Sequence, residues 1–173
     1  MPELPRRFQS RGLELVSPIW PWSGYVGQGD GTLRVSSPWG ERTHPVTGAK
    51  KRFHNGCDLA IPVGVELRPV AVGRVQKVWD DDDINGHAIR IEHVEWWSSY
   101  VHLSRVDVHV GQTVSPSMVI GLSGGAKGAV GSGRSTGPHL HLSVWVADDN
   151  GRPETVDPVP VIDWRPLTLT GAV

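Results

Sequence analysis

The chain has 173 residues and a single cysteine, Cys57, so an internal disulfide is impossible and a stapled secreted miniprotein is excluded. It has little Tyr and Phe, two of each, beside eight Trp. Excess charge of either sign is lacking. Seventeen basic and eighteen acidic residues leave a net charge of −1, which argues against a nucleic-acid or anionic-membrane binder that works by bulk electrostatics. No apolar run approaches the ~18 residues that a membrane span needs. The first ten residues lack the apolar centre of a secretory signal, so the protein is expected to act where it is made, leave by another route, or be a trimmed form. Lysine is scarce, four against thirteen Arg, which hints at a GC-rich genome and says nothing about fold. No pattern supports a helix of three turns, and no internal repeat is visible.

Gly and Pro are plentiful, 21 and 14, a turn-rich composition that suits short strands. Residues 1–35 are irregular. From Val35 onward short apolar stretches alternate with turn signals, the all-β pattern. Strands are expected within 69–79, over 88–92 and 99–103, and strongly over 139–147. Asn85-Gly86 marks a hairpin between the first two. Val114-Ser115-Pro116-Ser117 reads as a turn. The glycine-rich stretch 121–137 shows no core pattern and reads as flexible.

Eight histidines against one cysteine mean that any transition metal is held by imidazole and carboxylate. Two motifs stand out. His54-Asn55-Gly56-Cys57-Asp58 is an H-x-x-x-D in which Gly56 and Pro62 oppose a helix, so a bend at Asn55-Gly56 must bring the two side chains together. His139-Leu140-His141 on a strand sends both imidazoles to one face and Leu140 to the other. His54, Asp58 and one histidine of the second pair would give zinc three protein ligands and leave a fourth position for water, the arrangement of a catalytic rather than a structural site. The remaining histidine is then a natural acid or base. Cys57, next to Asp58 in extended chain, should point into the core instead.

Several motifs in order strengthen this reading. Gly133 to His141 resembles the G-R-S-T-G-P-H-L-H signature of the lysostaphin-type (LytM-type) zinc endopeptidases. His54 to Asp58 matches that family's H-x-x-x-D, and Ser99 to Ser104 its Y-x-H-L-S element. Ser37-Pro38-Trp39-Gly40 through Arg42, His44-Pro45 and Thr47-Gly48 resembles its lead motif. Val114 to Gly121 and Asp157-Pro158 resemble its later turn and closing D-P. The resemblance implies zinc ligation by His54, Asp58 and His141, with His102 and His139 flanking the attacking water as general base and as oxyanion stabiliser or acid, in an order left open. It implies a mainly β fold, a compact antiparallel sandwich with little helix, over residues 36–163, between a lead-in (1–35) and a tail (164–173). It also implies one Zn2+ ion and hydrolysis of peptide cross-links in bacterial peptidoglycan by a monomer. Without a signal sequence, a phage endolysin or virion-associated lysin is expected, with a D-Ala–meso-diaminopimelate bond favoured over a glycine bridge. The alternative is a catalytically silent wall- or partner-binding relative, but all five positions are filled. Dipeptidases of the D-Ala-D-Ala type space the first His and Asp by six residues rather than three.

Other features read more plainly. Arg42, His44, Trp39, Trp96 and Trp97 are candidates for the substrate groove, whereas Trp79 and Trp145 are expected to pack. His87, His93 and His109 are expected to be solvated. Asp81-x-Asp83-x-Asn85-Gly86-x5-Glu92 satisfies a calcium-loop pattern, but it lies between strands rather than helices and reads as an acidic hairpin tip. Leu142-Ser143 replaces the family's usual Phe-Glu, and the loop before Gly133 is longer than usual. It could rim the groove or be a mobile insert.

Overall fold

In the computed structural model, residues 32–42, 52–148, 150–162 and 168–170 are described. The strands are β1 (Thr32–Ser37), β2 (Gly40–Arg42), β3 (Arg52–His54), β4 (Cys57–Leu59), β5 (Glu66–Leu67), β6 (Gly73–Asp82), β7 (Gly86–Glu92), β8 (Trp96–Val106), β9 (Thr113–Val114), β10 (Gly121–Ser123), β11 (Leu140–Ala147), β12 (Pro153–Val156) and β13 (Thr168–Thr170). Among the described residues, one single-turn helix, α1 (Pro158–Val161), begins at Asp157, whose carboxylate accepts the Val159 N–H. The mainly β, largely antiparallel architecture expected from the sequence is the one observed. No described helix is long and apolar enough to cross a membrane.

Most strands join one large sheet in the order β13-β1-β4-β11-β8-β7-β6-β9, while β2 and β3 form a separate pair. Alternation decides its two faces. Along β11, Leu140, Leu142, Val144 and Val146 are buried in the core. His141, Ser143 and Trp145 therefore share the other face. β7 and β8 add Ile89, Ile91, Tyr100 and Leu103 to the same core. The Tyr100 hydroxyl accepts the Val70 N–H at 2.7 Å, which satisfies a polar group that burial would otherwise strand. Cys57 is fully buried in that core, and burial, with the charges of Asp157 and Asp58, pushes its thiol well above the ordinary range.

Three local readings change. The hairpin turn is three residues long, 83–85, and closes on Gly86 at φ +66°. Of the three histidines expected to be solvated, His109 is exposed. His87 instead pairs with Asp80 at 3.2 Å. His93 bonds the Val72 carbonyl and the Ser98 hydroxyl through its two ring nitrogens and stacks on Trp96 at 3.8 Å. Trp79 and Trp145 pack as expected, and Arg90 lies over both rings.

Burial pushes the His93 imidazole down to about 4. The unfolded chain therefore takes up this proton first as pH falls, so stability declines from about pH 6.5 to pH 4 and is complete above that window. Replacing His93 with Gln should remove up to about 3 kcal/mol of pH-dependent loss across the window. Urea unfolding of both proteins at pH 4.5 and pH 7.5 measures it; identical pH slopes would contradict the assignment.

Candidate metal centre and active site

Register builds the site. In the β11–β4 pair His141 lies opposite Asp58, and in the β11–β8 pair it lies opposite Val101, the neighbour of His102. His54 ends β3, and the Asn55-Gly56 bend returns the chain into β4. Only glycine fits that bend. A Cβ on Gly56 would lie 2.6 Å from Ser143 Oγ, 2.8 Å from His141 Nε2, and closer still to the Leu142 carbonyl. The bend expected from sequence thus presses directly against the strand that carries the other motif.

Three donor atoms meet at one point. His141 Nδ1 lies 2.9 Å from both Asp58 Oδ1 and His54 Nε2, and His54 Nε2 lies 3.1 Å from Asp58 Oδ1. Among the described residues, this is the group that could hold a metal ion. The outer partners assign the ring protons. The Pro38 carbonyl, 2.8 Å from His54 Nδ1, takes that proton and leaves Nε2 as a lone pair. The Ser143 hydroxyl, 3.0 Å from His141 Nε2, can accept that ring's proton and free Nδ1. Arg42 holds the second Asp58 oxygen at 3.2 Å. Burial alone would raise the Asp58 carboxyl, but the His141 and His54 imidazoles hold it well below the carboxylate range. A carboxylate and two imidazoles converging from three strands are a donor set that fits zinc.

Two more histidines border the cluster. His139 Nδ1 donates to the Gly137 carbonyl at 2.8 Å, with the Ser135 hydroxyl at 3.2 Å, which turns Nε2 toward Asp58 at 3.7 Å. His102 sits in the left-handed region at φ +65°, its ring centre 5.0 Å from that of His139 and 6.2 Å from that of His141. Its Nδ1 is buried without a hydrogen-bond partner among the described residues. Burial, then the His139 and His141 rings, push His102 down to about 4, so it is neutral at neutral pH.

The five histidine and aspartate positions therefore line one cavity of about 410 Å³, together with Arg42, Phe53, Asn55, Ile84, Asn85 and Arg134 among others. His44 lies outside the described residues. Trp39 does not border the cavity but packs edge-on against Phe53, which does, and donates to Thr155. Trp96 is placed in the core, stacked on His93, and Trp97 sits on the opposite strand face outside the cavity lining. Sequence reasoning missed Ser143, although its i+2 spacing from His141 put it on the right face. It also missed Arg134 and the hairpin residues Ile84 and Asn85, whose approach no local pattern encodes.

Comparison with known proteins agrees with this geometry. The profile of Peptidase family M23 matches residues 52–158. The chain is 37% identical over 126 residues to the peptidoglycan DD-endopeptidase ShyC of Vibrio cholerae, covering 72% of this chain and 27% of that protein. It is 37% identical over 129 residues to the DD-carboxypeptidase/endopeptidase Mpg of Neisseria meningitidis, covering 74% and 27%. The chain spans about a quarter of the length of these relatives. Among solved structures, a zinc-containing peptidase from Vibrio cholerae is 33% identical with a TM-score of 0.60, covering 80% of this chain and 39% of that one. The catalytic domain of the prophage-encoded M23 protein EnpA from Enterococcus faecalis is 27% identical, TM-score 0.59, covering 80% and 95%. Strand register, the clustered donors and these likenesses agree: the chain belongs to Peptidase family M23, a family of metallopeptidases.

Gly56→Ala should lower stability by about 1–3 kcal/mol, because the methyl group enters a closed contact with β11. Urea denaturation checks this; a midpoint equal to wild type would show that the bend relaxes freely.

Proposed function

We propose that this chain is a zinc-dependent endopeptidase that cuts peptide cross-links of bacterial peptidoglycan. The observation that carries the reading is the convergence of His54 Nε2, Asp58 Oδ1 and His141 Nδ1 beside two further imidazoles in one cavity. The relatives named as peptidoglycan DD-endopeptidases support the substrate class. A zinc ion held by the three donors would act as a Lewis acid, polarising the scissile carbonyl and making water a better nucleophile near neutral pH.

The chain's own groups divide the proton work. His139 carries its ring proton on Nδ1, bonded to Gly137, so Nε2 offers a lone pair on the site side and suits the general base. Neutral His102 can then donate to the developing oxyanion, and a dry pocket strengthens that bond. The leaving amine takes its proton from His139 once that ring has been charged. Arg42 keeps Asp58 oriented while its other oxygen faces the cluster.

Charge in the groove favours the D-Ala–meso-diaminopimelate cross-link over a glycine bridge. Among the described residues, Asp58 is the one acidic group that lines the cavity, and Arg42 already holds it. Arg134 is exposed and lines the cavity. In this cross-link the carbon bearing the scissile nitrogen also bears a free carboxylate, which a guanidinium binds well. A glycine bridge has no such group. The phage-encoded setting and a monomeric state belong to the same proposal, the former supported by the likeness to a prophage-encoded family protein.

Removing metal with a chelator should abolish cleavage of purified sacculi, and zinc should restore it. Asp58→Ala or His139→Ala should reduce the rate by at least about 100-fold, read by mass spectrometry of released muropeptides. Retained lysis in either variant would sink the proposal. Arg134→Gln should raise KM by about tenfold on a cross-link with the free diaminopimelate carboxylate and leave the amidated substrate unchanged. Equal effects on both substrates would remove the carboxylate role.

A further inference from the structure

The calcium-loop pattern that starts at Asp81, within the acidic run Asp80–Asp83, is left unexplained by the peptidase reading. Its geometry supplies another use. Asp82 Oδ1 accepts three hydrogen bonds: from Ile84 N–H at 3.0 Å, Asn85 N–H at 2.8 Å, and Asn85 Nδ2 at 2.9 Å. These bonds fix the three-residue turn in one conformation, as a side-chain carboxylate does in an Asx turn. The same bonds hold the Asp82 carboxyl below its ordinary range.

The fixed turn then grips the site from outside. The Asn85 carbonyl accepts the His102 N–H at 3.1 Å, and the Ile84 carbonyl accepts the Arg134 N–H at 3.0 Å. Two residues to either side of the turn, His87 N–H donates to the Gly131 carbonyl, and Asp81 Oδ1 accepts the Gly131 N–H, both at 2.9 Å. The fit is closed. A Cβ on Gly86 would strike the Gly131 carbonyl, and one on Gly133 would strike the Ile84 carbonyl and the Gly86 nitrogen. The glycine-rich loop thus packs against the hairpin at Gly131 and Gly133. Its backbone is bonded to the hairpin tip on one side of the cavity.

We propose that Asp82 is a positioning residue: through Asn85 it holds His102 in its left-handed conformation, and through Ile84 it fixes the loop that carries Arg134 toward His139. A non-glycine residue at φ +65° costs energy and persists where its surroundings overdetermine it. The Asn85 carbonyl is the hydrogen bond on the His102 amide itself. Asp82 does not touch substrate or metal donors, so its effect on rate is indirect. The inference rests on the peptidase reading for its catalytic consequence, and on the hydrogen bonds alone for its structural one.

The test uses the full chain with Asp82→Ala, which removes the acceptor, and Asp82→Asn, which keeps a side-chain oxygen in the same place. In D82A the His102 and Arg134 amides should exchange with solvent at least about tenfold faster by NMR, while the Ile89 and Leu142 amides keep their protection. On a soluble cross-linked peptide, kcat of D82A should fall about 10- to 100-fold with KM changed less than about threefold. D82N should stay within about threefold of wild type in every readout. Wild-type exchange and kcat in D82A would overturn the proposal. So would loss of core-amide protection in D82A, which makes the role one of folding, or a D82N as impaired as D82A, which makes it one of charge. Activity that depends on added calcium would overturn it in favour of a cation loop. If the wild-type chain cleaves no such peptide, the peptidase reading fails, and amide exchange still decides the positioning role.

Discussion

His54 Nε2 and Asp58 Oδ1 both carry lone pairs, lie 3.1 Å apart, and share His141 Nδ1 at 2.9 Å. Bringing electron-rich atoms so close in a half-buried cleft is unfavourable unless positive charge stands among them. That constraint orders the surrounding structure. The Pro38 carbonyl and the Ser143 hydroxyl take the outward ring protons, and Arg42 takes the other carboxylate oxygen. Each outer contact narrows the freedom of a donor, so the chain has met the ordering cost before an ion arrives.

The sheet provides the rigidity this needs. Leu140 and Leu142 are fully buried on one face of β11, so His141 between them cannot turn without unpacking the core. Asp58 is held the same way between buried Cys57 and Leu59. His102 and His139 are held differently. Both are fixed through backbone contacts from turns, His102 by the hairpin tip and His139 by Gly137 and Ser135. The contrast is one of support: Asp58 and His141 are held by strands packed on the core, whereas His102, where the β7–β8 register shifts, and His139, just before β11, are held by contacts from turns.

Much of this was legible in the sequence because it follows short periods. The two-residue period of His139-Leu140-His141 and the glycine bend after His54 pointed to His54, Asp58 and one histidine of the pair, while His141 as that histidine and the place of His102 came from the family resemblance. Side choice was less legible where neighbours alternate. Trp96 and Trp97 are equivalent as letters, yet one faces the core and the other the opposite surface. His93 sits at a strand edge in sequence but finds two partners, the Val72 carbonyl from a distant segment and the Ser98 hydroxyl across the adjoining turn. The stretch 121–137 read as flexible, yet 121–123 form β10, paired with β5 and β8, and Gly131 and Arg134 are held by hydrogen bonds to the hairpin, contacts that side-chain periodicity does not record. The tip looked like a cation loop for a related reason: aspartates that bind backbone N–H groups and aspartates that bind calcium are written with the same letters.

The most direct measurement of the central claim is a crystal structure of the zinc-soaked chain with anomalous data on both sides of the zinc edge. The account requires one strong anomalous peak per chain, bonded by His54 Nε2, Asp58 Oδ1 and His141 Nδ1, with His102 and His139 beyond bonding distance. A peak ligated by His102 or His139 in place of one of those donors, a peak at the acidic hairpin, or no peak at the cluster would contradict it.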